Sequence, residues 1–283
     1  MRSLKRMGEN RKRAEHPRGW LRLLPADIRR GILRNILWFF PVIFLVTFSV
    51  SQRYTLWAAD AHYYGDDTPP GLTDYVFWYF QGSYPVPEDS DRPPEIPVEW
   101  LCIQLYLVFL VGKYSLNDLN KGGKNALIRC PKRSVWWYER CLWSGLCALI
   151  YYGLTMAVMT ASFLVLHGAA ALRSCLLSAE DPLLFAACYA APLMSMITLA
   201  LLQHFLSLIL QPIYGLILLA AWLMASVFKT SPLLIGNLSM LCRSRYYAGG
   251  GSITLGQVMG MCLALSCVSI LAGGMYFKRK DIL

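Results

Sequence analysis

Charged side chains are scarce in this sequence. They make up 16% of its 283 residues, whereas hydrophobic residues make up 56%; an ordinary soluble domain carries about 25% charged residues. The mean hydropathy is +0.41, and the apolar residues are gathered into runs near the ~20 residues that cross a bilayer as a helix. This composition excludes an ordinary soluble domain and predicts a multi-pass membrane protein.

The sequence also lacks the short motifs of familiar catalytic and nucleotide sites. It contains no HExxH, GxSxG or CxxC motif. Gly122, Gly123 and Lys124 are followed by Asn125, so the phosphate loop, which needs Ser or Thr at that point, is not formed. We therefore expect no cofactor in this chain and no enzymatic activity of its own.

Six apolar runs predict an all-α fold with about six transmembrane helices. A single stretch, 183–228, is long enough for two of them, and we divide it near 206–212, where Pro212 disfavours helix in the residue before it. The basic region before the first run is too long for a signal peptide, and no small-residue cleavage site follows that run. The transmembrane domain is thus predicted at 32–283, with spans at 32–50, 98–112, 142–166, 183–206, 208–228 and 255–277.

Charge predicts the orientation, because cytoplasmic segments collect Lys and Arg. Residues 1–35 hold eleven basic against three acidic side chains, and residues 113–140 hold seven against two. The long loop 51–97 holds two basic against eight acidic. We expect a cell-membrane protein with both termini and 113–140 in the cytoplasm and 51–97 outside. The segment 228–253 is the exception, since it carries three basic residues on the predicted outer side.

The net charge of +10 lies mostly beside the spans. There it suits anionic lipid headgroups, and we expect a lipid partner and no nucleic acid. Ile28, Ile32 and Ile36 recur at i, i+4 and i+8 in the segment 1–35 and its continuation, which predicts a basic amphipathic helix at the membrane surface. A passive anchor would show the same pattern.

The cytoplasmic segment 113–140 combines a short helix signal, a glycine break, and a basic and aromatic approach to the third span. Leu116 and Leu119 form a small apolar pair at i, i+3, with Asp118 and Lys121 on its flanks. Trp136, Trp137 and Tyr138 suit the headgroup layer.

The segment 113–140 resembles part of a known protein family. It is similar to the loop between spans two and three in a group of Gram-positive type-2 ABC exporter permeases. The shared pattern consists of Tyr114, Asp118, Leu119, Gly122, Arg129, Arg133, Trp136 and Trp137. Further similarity lies at 71–80, at 96–97 with Trp100, at 236–237 with Met240 and Arg243, and at 276–283.

The resemblance implies a permease subunit that exports a substrate, in which a peptide or antimicrobial is one candidate. Such chains pair with a second copy or a related permease and recruit separate ABC ATPase subunits, which hold the ATP and Mg. The segment 113–140 would then be the coupling loop that binds the ATPase. Its expected contact residues are Leu116, Asp118, Leu119, Lys121, Arg129 and Arg133.

The outer loop 51–97 offers a candidate substrate surface. It carries aromatics that include Tyr75 and Trp78, and acids that include Glu88, Asp89 and Asp91. Such a surface would attract cationic amphipathic peptides by charge and stacking. A solvated loop with an aromatic patch at the membrane surface explains the same composition.

Two other classes stay open. An intramembrane enzyme needs polar groups that converge within the bilayer, and a non-transport scaffold or sensor subunit needs only the helices. His204 is the one imidazole inside the predicted spans, and we expect it to be packed or hydrogen-bonded between helices more than to relay protons. Cys175 and Cys242 are both predicted outside, and the sequence leaves open whether they form a disulfide.

Overall fold

The computed structural model describes residues 33–64, 69–84, 95–121, 133–177, 182–246 and 251–279. Within these ranges the chain is all-helical, as predicted, apart from one isolated bridge between Ser244 and Ile253. A 3-10 helix, Leu33–Phe39, precedes the first α-helix, and a second one, Leu241–Arg243, lies shortly before the last α-helix. We number the α-helices α1 (Phe40–Tyr64), α2 (Leu72–Phe80), α3 (Val98–Lys121), α4 (Arg133–Leu177), α5 (Pro182–Ile209), α6 (Pro212–Phe228), α7 (Ile235–Ser239) and α8 (Leu255–Arg279).

Among the residues that the structure describes, five helices are long and apolar enough to cross a membrane. Their apolar parts are Ile36–Tyr63, Val98–Ser115, Trp136–Arg173, Leu183–Ile209 and Leu255–Lys278. They correspond to the first four and the last of the predicted spans. The helix at the remaining position, α6, is apolar but has only 17 residues.

Helices α3 and α5 form the centre of the bundle. In their most apolar windows 56% and 50% of residues are buried, against 28% in α1, α4 and α8. Helix α5 contacts α3, α4, α6 and α8. The outer faces of the other helices expose large apolar side chains, such as Phe44 on α1 and Ile217 on α6, as expected for surfaces against lipid.

The break predicted inside the stretch 183–228 is confirmed. Helix α5 ends at Ile209, and α6 begins at Pro212 after Gln211, whose φ of −86° and ψ of 152° are extended. Proline at the first helical position costs nothing, because its missing N–H would be unpaired there. Pro192 lies inside α5, as is tolerated in membrane helices.

The outer loop 51–97 is more ordered than its polarity suggested. Helix α1 continues past residue 50 to Tyr64, since 51–64 contains no Gly or Pro to end it. A further helix, α2, begins where the Gly71 N–H donates to Asp74 Oδ2 at 2.8 Å. Helix α2 packs on α4 and α5, so part of the predicted loop is ordered helix against the bundle.

The segment 113–140 also differs from the prediction. Helix α3 runs without interruption to Lys121, because no Gly or Pro stands between Gly112 and Gly122. Helix α4 begins at Arg133, nine residues before the predicted third span. The short helix expected at the start of this segment is therefore the extended end of α3.

Two further predictions concern helix ends. Helix α4 extends beyond residue 166 and contains one non-helical residue, Gly168, with φ 82° and ψ 171°, a conformation that glycine adopts most easily. At the N-terminus, Ile36 lies in the 3-10 helix and is 59% exposed. Ile28 and Ile32, the rest of the predicted surface helix, lie outside the described residues.

Candidate functional site

The two flanks of the predicted coupling loop meet in a buried polar cluster. Arg140 Nη1 of α4 donates to the Tyr114 hydroxyl of α3 at 2.6 Å. The Tyr114 ring stacks on Trp143, with centroids 3.6 Å apart. Arg140 Nε lies 3.8 Å from Glu139 Oε2, and both side chains are buried. We call this cluster the loop junction; it comprises Tyr114, Ser115, Trp136, Trp137, Arg140 and His204.

His204 connects the loop junction to the central helix α5. The Ser115 hydroxyl donates to the Val111 carbonyl at 3.1 Å. The same hydroxyl lies within hydrogen-bond distance of His204 Nδ1, 3.0 Å away, and the histidine tautomer decides which of the two donates. The imidazole also stacks on Trp137, at 4.9 Å. The packed, hydrogen-bonding role expected for His204 is confirmed.

Two tryptophans extend the loop junction to α8. Trp137 Nε1 donates to the Ile270 carbonyl at 2.8 Å, and Trp136 stacks on Phe277 at 5.1 Å. A Cβ at Gly273 would overlap the Trp137 ring, so this contact needs glycine. Trp136 and Trp137 are 4% and 1% exposed. The exposure to the headgroup layer predicted for these two side chains is wrong, because both rings are buried between helices.

A small cavity lies inside the loop junction. It is lined by the six residues of the loop junction together with Ser207 and Leu208. Leu116, Asp118, Leu119 and Lys121 lie in the last turns of α3, and Arg133 is the first residue of α4. Arg129 lies outside the described residues. The predicted coupling residues for which the structure gives a position thus flank one polar cluster.

The opposite end of the bundle holds an aromatic cluster around His167. The Tyr75 hydroxyl lies 2.9 Å from His167 Nε2. The rings of Tyr54, Trp57 and Phe163 lie 5.4, 5.8 and 4.8 Å from the imidazole. The helical break at Gly168 directly follows the histidine.

The predicted substrate residues divide at this cluster. Tyr75 is 2% exposed, which corrects its expected place on an open loop surface. Burial, followed by nearby Tyr54 and Asp74, raises the pKa of Tyr75 to about 12. Trp78 is half-buried and meets Tyr75 edge-on at 5.3 Å. Glu88, Asp89 and Asp91 lie outside the described residues.

A buried arginine organises the segment between α6 and α8. Arg243 is 1% exposed. Its Nε donates to the Ser83 carbonyl at 2.9 Å and its Nη2 to the Val227 carbonyl at 3.0 Å, while Nη1 donates to Asn237 Oδ1. Asn237 Nδ2 in turn donates to the Lys229 carbonyl at 2.8 Å. Sequence reasoning named Arg243 as a basic residue of the segment 228–253 and as part of the resemblance, but it did not predict this cap on the end of α6.

The neighbouring Cys242 is a free, buried thiol. Its Sγ donates to the Ser83 carbonyl at 3.1 Å. Burial raises the pKa of Cys242 to about 12, although Arg243 acts in the opposite direction. Cys242 is therefore in no disulfide in this structure; the side chain of Cys175 lies outside the described part of the structure. Among the described residues, no group of three His, Cys, Asp or Glu side chains is arranged to hold a metal.

The all-helical architecture, with five helices long and apolar enough to cross a membrane, defines a multi-pass membrane protein. Residues 95–283 match the family described as "Protein of unknown function (DUF2705)". Because this match covers more than half of the chain, the chain belongs to that family. Comparison with curated proteins and with solved structures gave no significant match.

Proposed function

We propose that this chain is the membrane-spanning permease subunit of an ABC exporter, driven by separate ATPase subunits that bind ATP and Mg. In this proposal α6 completes a sixth crossing, both termini and the loop after α3 face the cytoplasm, and a second permease chain completes the transporter. The permease moves its substrate outward across the cell membrane. The proposal extends the resemblance described above to the whole chain.

The loop junction is the observation that carries the proposal. A coupling loop must transmit movement to the spans. This requires rigid contacts between the loop and several helices from different parts of the sequence. Here the loop flanks contact each other through Tyr114 and Arg140. They contact α5 through His204 and α8 through Trp137. A force on the loop would therefore reach the centre and one side of the bundle together.

The orientation gains support from Arg243. The positive-inside rule counts cations that stay in loops, and Arg243 is buried and bonded to carbonyls. Only Lys229 and Arg245 are exposed among the three basic residues of the segment 228–253. The exception to the predicted orientation is correspondingly smaller.

A peptide is the substrate class that we propose for the outer end. The acidic loop favours cationic groups, and the aromatic cluster offers partly exposed rings at Tyr54 and Trp78. Tyr75 contributes indirectly, since its hydroxyl holds His167 in the cluster.

The test targets the end of α3. Leu116→Asp combined with Leu119→Asp removes the apolar pair expected to seat in the ATPase, and such anchors typically contribute about 1–2 kcal/mol or more each. We expect the ATPase to be lost in a pull-down from the complex, while the permease stays monodisperse in detergent. Leu56→Asp with Ala59→Asp is the control, because it places the same pair of charges on an exposed face of α1 at the other end. An ATPase that stays bound and coupled in the α3 variant would disprove the assignment.

A further inference from the structure

Six buried side chains have polar atoms without a hydrogen-bond partner among the protein atoms of the described residues. They are Tyr79, Gln104, Trp136, Trp143, Gln203 and His204. The clearest is Gln104, which is 0% exposed and has both amide atoms unpartnered. Such groups are rare in folded proteins and call for a physical explanation.

Other buried polar side chains in the spans do not share this property. Their hydroxyls donate to carbonyls of their own helix, three or four residues earlier; this applies to Ser115, Ser144, Thr155, Ser195, Ser207, Ser226 and Ser269. The bundle thus satisfies polar groups where it can. The six exceptions form a separate set.

All six exceptions lie on or against α3. At its beginning, burial and the nearby Tyr151, Glu99 and Cys102 raise the pKa of Tyr79 well above its usual value, and the last two of these belong to α3. Gln104 lies on α3 itself. Further along, Gly112 of α3 lies against Nε2 of Gln203, and the unpartnered Oε1 of the same amide lies against Gly215 of α6.

The other three exceptions surround the end of the same span. Trp143 stacks on Tyr114, His204 bonds Ser115, and Trp136 lines the cavity that Ser115 also lines. From Glu99 to Ser115 the helix rises roughly 24 Å at 1.5 Å per residue. The line of unpartnered groups therefore follows α3 through most of the ~30 Å hydrocarbon core.

An apolar constriction interrupts this line. Leu107, Val108 and Val111 lie between Gln104 and the groups around Tyr114, and each is 0% exposed. They share the face of α3 that carries Gln104, at i+3, i+4 and i+7. Polar groups on both sides of a closed apolar segment are the arrangement expected when a pathway is shut at its middle.

We propose that a hydrogen-bonding pathway for the transported solute runs along α3, and that Leu107, Val108 and Val111 close it in this structure. The inference rests on the proposed transport function and adds its route and the class of solute. Partners for the six groups would come from water and from the solute as the pathway opens.

The donor and acceptor types specify the solute. Trp136 and Trp143 offer indole N–H donors, Gln203 Oε1 is an acceptor, and the Gln104 amide offers both. Uncharged donors and acceptors of both kinds complement the N–H and C=O groups of an extended peptide. A lipid tail or a purely apolar drug would leave them unpaired.

The test is thiol accessibility in a variant without native cysteines, reconstituted in vesicles with its ATPase. Gln104→Cys and Gln203→Cys each introduce one thiol into the line. A variant that keeps only native Cys262 is the control, since Cys262 is equally buried but lies beside Thr198 on the α5–α8 side. Glu95→Cys, at an exposed position before α3, serves as the reference for full exposure.

We expect a membrane-impermeant maleimide to label both introduced thiols during ATP turnover at roughly 0.1–10% of the Glu95→Cys rate, the range for a minor open state. Cys262 should react at least about tenfold more slowly than the introduced thiols, because it has no such opening. A synthetic peptide of alternating Lys and Leu should slow labelling at position 104. Labelling that this peptide does not slow would overturn the solute class.

The pathway is overturned if both introduced thiols react as slowly as Cys262 while the complex hydrolyses ATP; the proposed ABC function would survive that result. Conversely, labelling of both thiols in a chain that binds no ATPase would support the pathway and disprove its proposed energy source. Using two positions keeps the test decisive, because either variant reports if the other fails to fold.

Discussion

At the scale of single residues, the informative side chains are the buried polar ones. Arg243 donates to carbonyls at the end of α6 and after α2, and its removal takes this donor from the Val227 carbonyl and leaves the Ser83 carbonyl with only the Cys242 thiol. Each lost bond of a charged donor contributes about 1.5–3 kcal/mol. Residues of this kind are structural, and their effect is on stability.

Arg243→Met should therefore lower the free energy of unfolding by about 2–4 kcal/mol. The thermal midpoint of the purified protein in detergent measures this change. Arg245→Met removes the same charge from an exposed position and should shift the midpoint little. Equal shifts in the two variants would mean that the loss of charge, and not the lost bonds, is responsible.

Cys242 gives a prediction about pH. Its pKa is raised from 9.0 to about 12 by burial, so the folded state favours the protonated thiol. That contribution to stability is fully present below pH 9 and is lost as the pH rises through about 12. The difference in thermal midpoint between the parent and Cys242→Ala should shrink or reverse over this window. A difference that stays constant from pH 8 to 11 would contradict the shift.

At the scale of secondary-structure elements, glycine and proline determine where helices end. Helices α1 and α3 outrun their predicted spans because nothing in 51–64 or 113–121 breaks a helix. Pro212 begins α6, and Gly168 interrupts α4. Apolar run length predicts how much of a helix lies in lipid, whereas helix length follows these breaking residues.

Gly168→Ala tests the break in α4. A left-handed conformation costs a residue with a Cβ about 1–2 kcal/mol, so we expect destabilisation of that size and a weakened contact between His167 and Tyr75. Gly153→Ala is the control, because Gly153 lies in regular helix and a Cβ there meets no atom within 4 Å; it should be neutral or stabilising. Thermal midpoints of the two variants decide, and a stabilised Gly168→Ala protein would contradict the break.

At the scale of the whole molecule, the arrangement of helices separates a central pair from a lipid-facing layer. The central helices α3 and α5 carry Gln104, Ser115, Gln203 and His204, all of them buried. Both helices cross between the loop junction and the Arg243 cluster. Successive helices run in opposite directions between these two ends. The side of the membrane on which one end lies therefore fixes the orientation of the entire chain.

Thiol labelling at the two ends tests that orientation. Glu95 and Lys278 are both exposed, at the beginning of α3 and near the end of α8. In intact cells, an impermeant maleimide should label Glu95→Cys and leave Lys278→Cys unlabelled until the membrane is permeabilised. Labelling of both thiols in intact cells, or of Lys278→Cys alone, would refute the cytoplasmic C-terminus.

Much of the fold was predictable from the sequence. The all-helical class, five spans, the break before Pro212 and the packed role of His204 all follow from apolar run length, helix-breaking residues and the cost of a polar group in lipid. The candidate site was predictable only in part. The loop 113–140 was recognised as distinctive, but the partners of Tyr114, Trp137 and Arg140 were not.

Composition and local breaking residues determine membrane class and helix order, because each acts over a single helix length. Tertiary structure alone decided which polar groups meet. His204 and Ser115 are 89 residues apart in the chain, and Arg243 and Ser83 are 160 apart. No local pattern encodes such pairs, since they form only when apolar packing brings their helices together. The same packing left Gln104 buried on α3 without a partner, which is why the pathway proposed along α3 emerged from the structure.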